Sequence, residues 1–295
     1  MSAARSLAWR RFRRHPFALP SFVLLVVLAL AALGAPLVEA AFGIDANKVD
    51  LLARFTTPSA EAWLGRDELG RDIFVRLLYG GQVSLLVGIV TALVACVIGT
   101  CIGLLAGYRG GWIDAALMRF TDSIIALPLL PLLIVMAALD LTKLGVPEAI
   151  AQSDRISLYH IIFIVALAGW TTSARLVRGT TLSLRERDFV AAARAQGASS
   201  ARIMFVHILP NLISPILVAT TLSAGKIILM ESVLSFLGLG IQPPTSSWGN
   251  MLTNAQQLIH SAPELAVYPG LLIFVTVIAF NFVGDGLQEA LDPKA

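Results

Sequence analysis

The sequence predicts an all-α, polytopic membrane protein with six transmembrane helices. Three observations carry that expectation. The chain is 57% hydrophobic and only 14% charged, with a mean hydropathy of +0.78, whereas roughly a quarter of an average soluble domain is charged. Apolar runs long enough to span, about 18 residues or more, occur near 17–41, 83–107, 113–140, 157–178, 212–240 and 265–284. Arginines collect in alternate connecting segments, as they do when one side of a membrane retains positive charge. An all-buried soluble core has little room for six such runs. Backbone in lipid must satisfy its own hydrogen bonds, which selects helices.

Residues 1–16 form a basic N-terminus with Arg5, Arg10, Arg11, Arg13 and Arg14. The first span, 17–41, begins like a secretory leader and contains "ALAALGA", but it runs on through "PLVEAAF". Leader cores are about 7–15 residues, so this segment is read as a retained helix. Arg109 and Arg119, and then Arg175, Arg178, Arg185, Arg187, Arg194 and Arg202, fall on the same side as the N-terminus. The opposite side carries Lys48, Arg54, Arg66, Arg71, Arg76, Lys143 and Arg155, most of them balanced by nearby acids. Both termini are therefore expected in the cytoplasm, and 42–82 is expected to be a periplasmic loop. Its "LGRDELGRD" reads as paired surface charge that shapes a turn, since such pairs contribute only about 0–1 kcal/mol.

Residues 83–295 are expected to form the core, with five further spans. In the second span Gly99 and Gly103 form a G-x-x-x-G pair that permits close helix packing. Cys96 and Cys101 lie in the same span and read as packing residues without a metal or disulfide role. The third span carries Asp114, Arg119 and Asp122 at its cytoplasmic end, and Pro128 and Pro131 break its ladder midway. That break suits either a kinked helix beside a transport path or a bent packing helix. The fifth span holds Lys226 and Glu231. Ionisable groups inside a span mark a cavity or an interhelical partner. Five residues apart they stand about 140° around the helix and cannot pair with each other.

The cytoplasmic segment 179–211 contains "AAARAQGASSARIMFVHILPN". Asp188 is placed to cap a short helix, Gly197 to end it in the left-handed region, and Ser199 to cap a second helix. Pro210 is expected to separate that helix from span five. Ala191, Ala192 and Ala193 keep the first helix thin. The second offers Ile203, Met204, Phe205 and Val206 beside Arg202 and His207. Ala193, Gly197 and Ile203 also fit the spacing of a DNA-binding helix-turn-helix. Here both helices are tethered by spans and no third helix supports them, so no nucleic-acid partner is expected. The chain has no G-x4-GK[ST] phosphate loop. His15, His160, His207 and His260 are scattered, so neither catalytic residues nor a metal site is expected.

The segment resembles the EAA loop of bacterial ABC-importer permeases, whose pattern is E-A-A-x3-G-x9-I-x-L-P. Ala192, Ala193, Gly197, Leu209 and Pro210 match; Ala191 stands where glutamate is common, and His207 where isoleucine is. "WRRFRRHP", "LGRDELGRDIFVRLLYGGQVSLLVG", "GLLAGYRGGWIDAALMRFTDSIIALP", "SFLGLGIQPPTSSWGNMLTNAQ" and "FNFVGDGLQEALDP" extend the resemblance to the C-type permeases of the dipeptide, oligopeptide and nickel branch. The resemblance implies the type I ABC-importer permease fold in a bacterial inner membrane. It implies a second homologous permease, two cytoplasmic ATPase subunits seated on the coupling loop, and an extracytoplasmic solute-binding protein. ATP and magnesium would be bound by the ATPases, leaving this chain without a cofactor. ATPase contact then falls to Ala191, Ala192, Ala193, Gly197, Ser199, Arg202, His207, Leu209 and Pro210. Lys226, Glu231, Pro128 and Pro131 become candidate path residues. Pro243, Pro244 and Trp248 become a docking face for the binding protein, unless that loop is only a lid on its own spans. Di- or oligopeptides are the expected cargo. Nickel or another small solute is the alternative, and an ATP-independent transporter or channel, or a structural anchor, is less favoured.

Overall fold

The computed structural model describes residues 2–143, 145–148, 153 and 156–292. Arg155, counted above in the charge bias, and residues 293–295 of the expected core lie outside the described residues. Eleven α-helices are described: α1 Ser2–Arg14, α2 Ala18–Leu33, α3 Ala35–Phe42, α4 Ile73–Arg109, α5 Gly111–Ala126, α6 Leu129–Ala137, α7 Ile156–Arg185, α8 Asp188–Ala195, α9 Ser200–Phe236, α10 Ala255–Leu258 and α11 Glu264–Leu291. Among the described residues the only β pairing is an isolated bridge between Arg66 and Asp72. The all-α expectation holds. Helices α4, α7, α9 and α11 are each long and apolar enough to cross a membrane, and two bent helix pairs bring the total to six if each is one span.

The first apolar run is split between α2 and α3, and Gly34 joins them with right-handed helical angles. Its start is capped by an unexpected residue: the His15 ring nitrogen accepts from the Phe17 and Ala18 N–H groups at 3.3 and 3.1 Å. The last two turns of α1, Ala8–Arg14, leave α2 at 91°.

Helix α4 begins at Ile73 rather than near 83, because the Asp72 side chain accepts from the Val75 N–H at 2.9 Å and starts the helix there. Burial pushes the Asp72 carboxyl above its ordinary range, and that N–H bond pulls the other way. The third apolar run is two helices bent by 84°. Leu127 and Pro128 are extended at the break, while Pro131 sits in the first turn of α6, where its missing N–H costs nothing.

Helices α4 and α7 pack closely along a glycine seam. A Cβ on Gly99 would stand 2.5 Å from the Trp170 carbonyl oxygen, and Gly103 and Gly107 meet Ala174 and Thr181 as tightly. The glycine pair read from the sequence is therefore a three-glycine seam, and only hydrogen fits along it. Ion pairs tie α7 to α5, and one hydrogen bond ties it to α4. Arg178 makes a two-pronged contact with Asp114 at 2.5 and 2.7 Å, Arg175 reaches Asp122 at 2.5 Å, and Arg185 donates to the Gly107 carbonyl at 2.9 Å.

Two local expectations are corrected. Arg187, not Asp188, is the residue before the short helix, and no side chain caps it. Pro210 does not separate a soluble helix from a span: α9 runs from Ser200 to Phe236 without a break. A π-helical segment, Ile203–Ile208, precedes the proline. Its wider turn makes room for a ring that would otherwise strike the carbonyl four residues back. The Asn211 side chain donates to the His207 carbonyl at 2.7 Å and satisfies an acceptor of that widened turn.

Candidate functional site

The segment between α7 and α9 is a rigid bracket. Helix α8 ends in a Schellman turn: the Ala198 N–H donates to the Ala193 carbonyl and the Gly197 N–H to the Arg194 carbonyl, both at 3.0 Å. Gly197 has φ +80°, the left-handed conformation its position required. Ser199 caps α9, accepting from the Arg202 N–H at 3.4 Å. Val190, Ala193, Ile203 and Ile208 are buried against Leu104 of α4 and Val177 of α7. The bracket is thus packed directly against α4 and α7.

Its outer surface is apolar and uncovered. Phe205 and Val206 are 57% and 60% exposed, and Phe189, Ala191 and Ala192 are exposed beside Arg194 and Arg202. Gly197, Ser199 and Pro210 are also exposed, and His207 and Leu209 are half-buried. Two residues read as outward are corrected. Ala193 and Ile203 face the chain's own core, because each occupies the inward position of its helix. Phe189 was missed. Adjacent apolar residues at 189 and 190 cannot both face inward on a helix, and that adjacency was the available signal.

A second cluster lies at the other end of the bundle. Glu231 is fully buried. It accepts from the Ser84 hydroxyl at 3.3 Å and the Ser235 hydroxyl at 2.7 Å. Those hydroxyls in turn accept backbone N–H groups of the following loop, Ser84 from Trp248 at 3.1 Å and Ser235 from Ile241 at 3.0 Å. Trp248 is 2% exposed, and its indole N–H donates to the Leu77 carbonyl at 2.9 Å. The aromatic ring expected as a docking anchor is a core residue, drawn in because both its apolar area and its N–H are satisfied there. Pro243 and Pro244 remain exposed.

The structure separates the ionisable pair of the fifth span. Glu231 faces inward and belongs to the polar cluster, so it is corrected from a path residue to an interhelical one. Lys226 is exposed on the opposite side of α9, with no ion pair among the described residues. Pro128 and Pro131 are exposed at the α5–α6 bend. No group of three or more potential metal ligands occurs among the described residues.

A bracket packed on two spans, an exposed cation within a span and a loop pinned over the far end are the features of this membrane scaffold. Comparison with known proteins decides which. Residues 99–295 match the family model described as binding-protein-dependent transport system inner membrane component, and residues 5–56 match the N-terminal transmembrane domain of oligopeptide transport permease C. The chain belongs to this family of binding-protein-dependent permeases. The permease is 40% identical to the dipeptide transport system permease DppC of Alkalihalophilus pseudofirmus, covering 97% of this chain and 89% of that one. It is 41% identical to the glutathione transport system permease GsiD of Pectobacterium atrosepticum, covering 97% and 90%. Its fold is shared with a chain of the MetNI methionine ABC transporter in an inward-facing conformation, with a TM-score of 0.58 at 19% identity, over 74% of the permease and 96% of that chain. The expected type I ABC-importer permease fold and inner-membrane location are thereby established.

Proposed function

We propose that this permease forms, with a second homologous permease, the inward path for di- or oligopeptides. Its likeness along 97% of its length to permeases named for a dipeptide and for glutathione, itself a short peptide, is the observation that carries the cargo class. One of two ATPase subunits docks on the α8–α9 bracket, where Phe189, Phe205 and Val206 supply apolar anchors and Arg202 a polar rim. Both termini and the bracket face the cytoplasm, following the arginine bias. ATP and magnesium bind in the ATPases. Their closure pushes the bracket, which turns α4 and α7 as a unit because the glycine seam and the Arg185–Gly107 hydrogen bond join them. A solute-binding protein delivers cargo to the opposite side, where Pro243, Pro244 and residues of 42–72 are presented.

Lys226 lies on the path in this reading. A cation facing hydrocarbon costs on the order of 3 kcal/mol or more, so an unpaired lysine on an open helix face suits a water-filled surface shared with the second permease. Pro128 and Pro131 line the same path at the bend of the third span. Reconstitution of the complex with its binding protein in vesicles tests the reading. ATP-dependent accumulation of a labelled dipeptide or tripeptide is expected. Uptake of nickel without peptide, or peptide uptake independent of ATP, overturns it.

A further inference from the structure

Helix α1 is tightly seated against α2 and α11. Its last part crosses the end of α2 at 91°, so it runs along the membrane surface when α2 crosses the membrane. Phe12 is buried, and a Cβ on Gly286 of α11 would collide with Ala18 and touch the Phe12 ring. Arg11 donates to the Asp292 carbonyl at 2.9 Å and ties α1 to the end of α11. Beside this joint is an open groove of about 330 Å³, walled by Trp9, Phe12, Phe22, Val283 and Leu287. Its wall is almost wholly carbon. Trp9 stacks on Phe12 with centroids 5.9 Å apart, and Phe12 meets Phe22 edge-on at 6.4 Å.

The exposed face of α1 is basic, while Glu289 and Asp292 are exposed at the end of α11. Arg10, Arg13 and Arg14 are exposed, and the segment Ser2–Arg14 contains no acidic residue. Arg13 is one helical turn beyond Trp9 and shares its side of the helix. Apolar wall, half-exposed indole and exposed arginines thus meet on one short helix at the depth where acyl chain gives way to headgroup. A protein partner of this surface would need an acidic helix beside an apolar one. An anionic phospholipid supplies both chemistries in one molecule.

We propose that the α1–α2–α11 corner is a binding site for an anionic phospholipid. One acyl chain lies along Phe12, Phe22 and Leu287, and the phosphate sits against the Arg10, Arg13 and Arg14 face. The lipid completes the seat of α1 and fixes the level at which the first span enters the bilayer. The proposal does not depend on what the permease carries.

The test uses the whole complex in phosphatidylcholine vesicles containing equal amounts of either brominated phosphatidylglycerol or brominated phosphatidylcholine. The signal is the Trp9 fluorescence, taken as the difference between the native chain and Trp9→Phe. Stronger quenching by the brominated phosphatidylglycerol is expected, with a preference of roughly fivefold for each arginine that reaches the headgroup. The triple variant Arg10→Gln, Arg13→Gln, Arg14→Gln should lose the preference, and the three Lys replacements should keep it. Equal quenching by both lipids overturns the proposal, since the groove then meets only bulk acyl chains. Absence of quenching by either overturns it as well, because protein then covers the groove. Loss of the preference on adding inorganic phosphate would assign the arginines to a free anion and also overturn it.

Discussion

Ser84 of α4 and Glu231 of α9, 147 residues apart in the chain, meet across 3.3 Å in a place no water reaches. Through Ser84 and Ser235 that one carboxyl group holds both ends of the 241–250 loop against two spans. Glu231→Leu should leave both hydroxyls without their acceptor and destabilise the fold by about 1–3 kcal/mol. Glu231→Gln keeps an acceptor and should lose less. Limited proteolysis at 241–250 reads the difference. A leucine variant with native protease resistance and native transport would show that the cluster is dispensable.

Trp248→Ala should behave as a core deletion. Loss of the ring against Gly80 and Gly81, together with its bond to Leu77, should cost about 3–5 kcal/mol. Reduced yield of assembled permease and a lowered melting temperature are expected. A fully stable variant that fails only to recruit its binding protein would return Trp248 to the surface role the sequence suggested.

Gly197→Val tests the bracket by strain alone, because nothing lies within 4 Å of the added Cβ while φ is +80°. The penalty is roughly 1 kcal/mol or more. The chain should still insert, but ATPase subunits should co-purify poorly and transport should fall. Phe205→Ala together with Val206→Ala should weaken the same association without strain, by about 2 kcal/mol if Phe205 is a central anchor. Normal ATPase recovery in both variants would place the ATPase elsewhere.

Gly99→Leu or Gly103→Leu should force α4 and α7 apart, since the carbonyl oxygens of Trp170 and Ala174 occupy the space of the new side chain. Such overpacking typically costs 1–3 kcal/mol. The expected result is a poorly assembled complex, seen as loss of a monodisperse peak on size exclusion. Cys101→Leu, on an exposed face of the same helix, is the control and should assemble normally.

Lys226→Met separates passage from assembly. If Lys226 lines the path, uptake of peptides with a free carboxylate should fall while the complex remains intact, and C-terminally amidated peptides should be affected less. Disrupted assembly would instead show that Lys226 pairs with an acid on the second permease. Unchanged uptake of both peptide forms by a stable complex would remove it from the path.

Much of this was legible in the linear chain. Span-length apolar runs, arginine bias and the glycine pair are local or periodic features, and a helix in lipid has few other solutions. The Ala-Ala-Ala…Gly…Leu-Pro segment declared its turn because a Schellman geometry needs a residue that tolerates positive φ. Other features depended on neighbours far away in sequence. Glu231 and Lys226 look alike as charges in an apolar run; what distinguishes them is that one meets Ser84 and Ser235 and the other makes no ion pair among the described residues. Trp248 follows two prolines in a polar loop and reads as exposed, until Gly80, Gly81 and the Leu77 carbonyl make a slot for it. Pro210 reads as a stop, but a π turn absorbs it because the bracket and the span pack as one helix. Composition and period decided which segments cross the membrane. Which face of each segment is inside was decided by the contacts that only the assembled helices supply.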